Sequence, residues 1–149
     1  MAIKIQNDAF DVGKEVSDFS AAQPDAGAVV TFTGLVRNDG QDLQHLLIEH
    51  YPAMTGPAIA KIVEQAKQRW ALTDCLVIHR FGQLAPGEPI MMVATAAVHR
   101  AEAFAAADFL MDYLKSRAPF WKKEIRATSQ TWVSADIKDE AALDRWKPD

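Results

Sequence analysis

The stretch that most limits what this chain can fold into runs from Ala101 to Arg117, rich in alanine and cut off by Pro119. Alanine has the highest intrinsic helix propensity, and a proline biases the residue before it, here Ala118, away from helical dihedrals. A long helix must therefore form and stop there. Phe104, Ala107, Met111 and Leu114 fall on one stripe at helical spacing, so the helix is expected to be largely buried against another layer. A second amphipathic pattern, with Thr55 as cap and Pro57 in the first turn, sets Ile59, Ile62, Val63, Ala66 and Trp70 on one face. At 149 residues the chain fits one domain with its own core, spanning residues 1–149 without repeat, linker or low-complexity tract.

Strand signals fill the rest. Ile3 to Ile5 suggests a short strand, and Val12, Val16 and Phe19 follow helical spacing behind Asp11, a candidate N-cap. Ala28 to Arg37 (AVVTFTGLVR) is β-branched and aromatic, with an interruption or bulge expected at Gly34. After a polar turn from Asn38 to Asp42, LLIEHY gives another strand, and the short connection suggests that these two neighbours pair antiparallel. Cys75 to Phe81 and Ile90 to Val98 form a second expected pair, joined through Gly82, Pro86 and Gly87. A strand around Trp132 and a short helix from Glu140 to Trp146 complete an α+β order in which strand pairs alternate with single helices.

Composition removes several function classes. The longest apolar run, Ile90 to Val98, is far shorter than the roughly 20 residues of a membrane helix, and Asp8 and Asp11 interrupt any secretory-signal pattern. A soluble, cytoplasmic protein is expected. A net charge of −4 argues against general affinity for nucleic acid or anionic membranes. The lone Cys75 excludes internal disulfides and multi-cysteine metal sites, and His45, His50, His79 and His99 show no metal-ligand spacing. No bound metal and no resident cofactor are expected. Walker A, GxGxxG and nucleophile-elbow patterns are absent from the sequence.

Against this acidic background, the window from Asp112 to Arg126 holds Lys115, Arg117, Lys122, Lys123 and Arg126 with only Asp112 and Glu124 to oppose them. Such a concentration suits a compact anion such as phosphate, although cations at a helix C-terminus also serve simply to complement the macrodipole. Lys115 follows Met111 by four residues and Phe104 by eleven, at the end of the apolar stripe, which predicts partial desolvation and a lowered pKa. Snorkelling to solvent is the plainer reading of one such lysine. His99 and Arg100 sit where a strand meets the long helix, an arrangement that suits an anion but is also common at ordinary helix entries. Arg37 ends its strand and is equally open to both readings.

The strings GAVVTFTGLVRN, EHYPAMT, VIHRFGQLAPGE, AVHRAEAF and MDYLKSRAPFWKKE, in this order, closely resemble the large, catalytic subunit family of molybdopterin synthase. The resemblance covers most of Gly27 to Trp132 and is carried best by MDYLKSRAPFWKKE with EHYPAMT and the HR pair. It implies an α/β hammerhead fold and a homodimer with a small ubiquitin-like sulfur-carrier subunit at each end, a heterotetramer. The carrier's C-terminal Gly-Gly thiocarboxylate would give sulfur to cyclic pyranopterin monophosphate (precursor Z), and two transfers would form the dithiolene of molybdopterin. Carried onto this chain, the family's pocket includes Leu35, Val36 and Arg37, the His99-Arg100 pair, Lys115, and Lys122, Lys123 and Glu124. Phe32 and Met111 would line it, Leu35 would contribute backbone only, and Lys115 and Lys122 would be closest to the chemistry. The resemblance sets His99 and Arg100 across the dimer interface from the two lysines. It needs no thiol from the chain itself, which fits a structural Cys75.

A noncatalytic anion-binding scaffold for a ubiquitin-like partner explains the basic window equally well from the residues alone, and unrelated phosphoester chemistry is a weaker third option. Formation of dithiolene from thiocarboxylated carrier and precursor separates the three.

Overall fold

A computed structural model describes residues 2–134 and 136–148. The elements follow as β1 (Ala2–Gln6), α1 (Val12–Ala21), β2 (Ala28–Leu35), β3 (Leu43–His50), α2 (Pro52–Trp70), β4 (Asp74–Arg80), β5 (Gly82–Leu84) and β6 (Pro89–Ala97). Then come α3 (Arg100–Ser116), β7 (Phe120–Arg126), β8 (Gln130–Trp132), α4 (Ile137–Ala142) and a 3₁₀ turn at Leu143–Trp146. The first sheet has the order β1-β4-β6-β2 and the second the order β5-β3-β7-β8. Only β1 with β4 is parallel; every other pairing is antiparallel. This is the α+β architecture expected from the sequence.

The strands β4 and β6 are the centre of the first sheet, and both are apolar on both faces. Cys75 and Val77 of β4, with Met91, Val93 and Ala97 of β6, turn toward α2 and α3, where Ile59, Ile62, Val63, Ala66, Ala103, Ala106 and Leu110 meet them. Leu76 and Ile78, with Met92, Ala94 and Ala96, turn to the other side and pack on Phe19 of α1. The period-two alternation of a strand thus supplies two cores from two continuous apolar runs. A third, smaller core of Val36, Leu46, Ile48 and Leu84 belongs to the second sheet.

Several local expectations hold. Asp11 caps α1, its carboxylate accepting from the Lys14 amide at 3.0 Å. β2 is bulged between Gly34 and Leu35, and β4 pairs with β6.

Others need correction. β2 does not pair with β3; β2 lies along β6, while β3 joins β5 and β7 in the other sheet. The reason is at Val36, whose side chain is buried in the second core and whose backbone is tied to the Ala85–Glu88 turn, its N–H donating to the Glu88 carbonyl at 2.9 Å and its carbonyl accepting from the Gly87 N–H at 2.7 Å. Those bonds carry the chain out of one sheet and into the other before a hairpin can form.

Thr55 is not the cap of α2. The helix begins at Pro52 behind Tyr51, and the buried Thr55 hydroxyl donates back to the Tyr51 carbonyl at 2.8 Å, which leaves Pro57 inside the helix rather than in its first turn. On α3 the buried face is Ala103, Ala106, Ala107, Leu110 and Leu114, with Phe109 beside it, whereas Phe104 is 61% exposed. Helical periodicity fixes the angular spacing of a stripe, and the neighbouring sheet decides which stripe goes inward.

The chain also changes sheets between β4 and β5, at Gly82. Its φ is +91°, and a Cβ there would run into the side-chain amide of Asn7, which donates to the Phe81 carbonyl at 2.9 Å. Left-handed backbone and close approach both demand glycine. Gly82→Ala is expected to destabilise the protein by roughly 1–3 kcal/mol, read as a lower urea midpoint at unchanged slope. An unchanged midpoint would mean that the turn relaxes without cost.

Candidate active site

Where the two sheets meet under the C-terminal end of α3, a cavity of about 310 Å³ opens. The bulged end of β2 gives it Phe32, Thr33, Gly34 and Leu35, β6 gives Ile90 and Met91, and β4 gives His79. The end of α3 adds Met111, Leu114 and Lys115, and the chain leaving it adds Ala118, Phe120 and Lys122. Pro119 is what makes this possible, because it ends the helix and lets β7 run back beneath it. Alternation along β7 then turns Phe120 and Lys122 inward and Trp121 outward, where it is half exposed.

The cavity therefore gathers Phe32, Leu35, Met111, Lys115 and Lys122 from the expected site residues. It does not gather the rest. Val36 is core, as described above. Arg37 is exposed beside it. Lys123 faces the other side of β7, its ammonium 5.1 Å from the centre of the Trp132 ring. Glu124 shares the face of Lys122 but lies about 7 Å further along the strand, where its carboxylate accepts from Arg126 at 2.6 Å. That same Arg126 guanidinium grips Asp39 at 2.6 and 3.1 Å and the Gln41 carbonyl at 2.7 Å, pinning the polar loop after Arg37 to β7. The Arg126 bonds hold the Asp39 carboxyl at about 2, well below the usual carboxylate range. His99 and Arg100 are exposed at the opposite end of α3 from Lys115, about 22 Å away along the helix axis.

Sequence reasoning missed His79 and Phe120 as wall residues. The available signal was a titratable side chain inside the apolar run of β4, a position that favours a buried group with a specific partner.

The family described as MoaE protein matches residues 5–117. The chain belongs to the MoaE family. A Cereibacter sphaeroides protein named molybdopterin synthase catalytic subunit is 62% identical over 146 residues, covering 98% of this chain and all of that protein. Among solved structures, the molybdopterin biosynthesis MoaE protein from Burkholderia ambifaria is 47% identical with a TM-score of 0.84, covering 98% of each chain. The molybdopterin synthase of Staphylococcus aureus is similar at 28% identity and a TM-score of 0.80, over 88% of this chain and 96% of that one.

The electrostatics of this MoaE-family cavity differ from the expectation in one respect. The desolvated amine is Lys122, whose pKa is lowered first by burial and then by the charge of Lys115, with Asp139 opposing. Lys115 is exposed in this chain, because the buried stripe of α3 ends on Leu114 and the next position turns to the rim. The expected repulsion of the two amines acts on Lys122, where burial is the larger cause. Cys75 lies elsewhere, in the core, its thiol pushed up to about 12 by burial and so kept protonated.

His79 is also buried, stacked on Phe120 at 3.7 Å between ring centres, and held neutral. Burial brings its pKa down to about 4, against the bond to the Arg80 carbonyl, with Lys122 and His50 lowering it further. An unfolded chain would take up this proton near pH 6.5 while the folded one refuses it, so the unfolded state binds more protons and stability falls as pH falls. The loss is expected to begin near pH 6.5, reach about 3 kcal/mol by pH 4 and grow no further from this group. Urea melts across that range should show a shallower acid slope for His79→Phe than for the parent; equal slopes would exclude His79 as the source.

Proposed function

We propose that the chain is the catalytic subunit of molybdopterin synthase and that the cavity holding Lys115 and Lys122 is where sulfur reaches the pterin. The observation that carries this reading is the convergence of two amines, one desolvated, on one cavity in a chain 62% identical over nearly its whole length to a protein of that name. The reaction supplies its own sulfur as a carrier thiocarboxylate, so the site needs charge and proton transfer rather than a thiol. Its residues match that need.

In this reading the C-terminal Gly-Gly tail of a small ubiquitin-like carrier enters at the Lys115 rim. The ammonium groups hold the tail and the phosphate of cyclic pyranopterin monophosphate by charge-assisted hydrogen bonds. The thiocarboxylate sulfur attacks a substrate carbon as a carbon–oxygen bond of the cyclic phosphate breaks, and water then hydrolyses the resulting thioester to free the carrier's carboxylate. The two amines stabilise the developing negative charge and exchange protons with it. Burial makes Lys122 release its proton more readily than an ordinary lysine, which suits it to exchanging a proton with the substrate. Phe32 and Met111 line the substrate's apolar side.

The distance between His99-Arg100 and the lysines supports a site completed by a second copy. An apolar face of exposed Phe32 and Phe104 with half-buried Val30 and Met111 runs along β2 and α3 beside the cavity, and it supports a homodimer packed on that face. A two-fold pairing would bring His99 and Arg100 of the partner subunit to the cavity, with Arg37, as the phosphate end, and Lys123 and Glu124 as flanking contacts. With a carrier on each large subunit the assembly is a heterotetramer. The cytoplasm is the expected compartment, and among the described residues no helix is long and apolar enough to cross a membrane.

Single-turnover dithiolene formation with excess thiocarboxylated carrier tests the reading. Lys115→Ala should nearly abolish product while the thermal melt and carrier docking stay close to the parent's, and Lys122→Ala should cause a severe but smaller loss. Lys115→Arg should fail too, since a guanidinium keeps the charge and does not give up a proton. Near-normal turnover in Lys115→Ala would refute the assignment, and near-normal turnover in Lys115→Arg would reduce Lys115 to a fixed charge. Alanine at Arg37, His99 or Arg100 should weaken precursor binding by about 1.5–3 kcal/mol per lost contact, measured by calorimetry.

A further inference from the structure

The cavity contains two polar side chains that the reaction scheme above does not use, Thr33 and the buried His79. His79 is 6% exposed, and its Nδ1 lies 2.8 Å from the Arg80 carbonyl oxygen. A carbonyl oxygen only accepts, so Nδ1 carries the hydrogen and, in the neutral ring, Nε2 carries a lone pair. The stack on Phe120, 12° from parallel, fixes the plane of the ring, and the Nδ1 bond fixes which edge faces the Arg80 carbonyl. Behind Phe120 stands His50, itself fixed by the Thr55 hydroxyl at 3.1 Å, which gives its own proton to the Tyr51 carbonyl.

Nε2 of His79 has no hydrogen-bond partner among the described residues. It is also not sealed in: among those residues the one fully buried side-chain polar atom without a partner is a carboxylate oxygen of Glu102. The free lone pair therefore has access to the cavity that His79 lines. The other polar side chains on that wall are the ammonium groups of Lys115 and Lys122, which only donate, and the hydroxyl of Thr33. Among the described residues no carboxylate lines it.

We propose that His79 contacts the substrate, with Nε2 accepting a hydrogen bond from an N–H or O–H group of the small molecule whose phosphate the cationic groups hold. The assignment rests on the cavity being the pterin-phosphate site. A pocket furnished with donors alone binds any anion of the right size. An acceptor held in one tautomer adds a demand for a donor on the ligand's ring, and so separates a pterin phosphate from phosphate itself. Burial, with Lys122 on β7 and His50 on β3, favours the unprotonated imidazole that this role requires.

Calorimetry with precursor and with inorganic phosphate, on the parent and two variants assembled with carrier, tests the proposal. His79→Phe keeps the stack on Phe120 and removes the acceptor; it should weaken precursor about tenfold and leave phosphate unchanged. His79→Gln, whose amide oxygen can reach the Nε2 position, should recover much of the loss. Nitrogen-15 spectra of the parent at pH 7 should show a neutral ring protonated on Nδ1, with the Nε2 resonance shifting on addition of precursor and not of phosphate. These spectra and the glutamine variant remain decisive if phenylalanine disturbs the packing. Equal precursor affinity in the parent and His79→Phe would overturn the role of His79 alone, as would a ring protonated on Nε2. A parent that binds phosphate but not precursor would overturn the substrate assignment and this role with it.

Discussion

The pairing of β4 with β6 buries both faces of two strands at once, and the remaining elements take their positions from it. Side chains alternate along each strand, so one pair of apolar runs offers a surface to α2 and α3 on one side and to α1 on the other. At roughly 1.5–3 kcal/mol for each large side chain removed from water, Val77, Ile78, Met92 and Val93 alone make this pair the part of the molecule least able to shift. β1 and β2 add to its edges, and the chain leaves it for the second sheet at Val36, at Gly82 and, through α3, into β7.

The cavity is a consequence of those departures. Two sheets that share a chain but not a ladder leave a seam, and α3 ends over it. Lys122 and His79 approach the seam from different sheets, and each is brought into a low-dielectric setting that disfavours its charged form. Burial lowers the proton affinity of both, so that a neutral acceptor and a desolvated amine come to share one wall. Further out, where Arg126 binds Asp39 and Glu124, the carboxylates are paired at the surface and fix a loop instead of joining the site.

The sequence by itself determined the α+β class, the Asp11 cap, the bulge near Gly34, the pairing of β4 with β6, and the end of the long helix before Pro119. These depend on contacts close in the chain or on continuous apolar runs, which local propensity and periodicity report directly. It also singled out the basic window and, through the MDYLKSRAPFWKKE string, its family. What only the tertiary structure decided is which face each element turns and what it faces. The stripe of α3 rotated so that Phe104 lies outside and Lys115 on the rim, because sheet contact, absent from the one-dimensional pattern, selects the inward side. Val36 and Glu124 lie one and two positions from cavity residues yet serve a core and an ion pair, since a strand reverses its side at every step and advances about 3.4 Å with each. His79 became part of the wall through Phe120, forty-one residues later in the chain, and the shift in its proton affinity exists only where burial removes water from both.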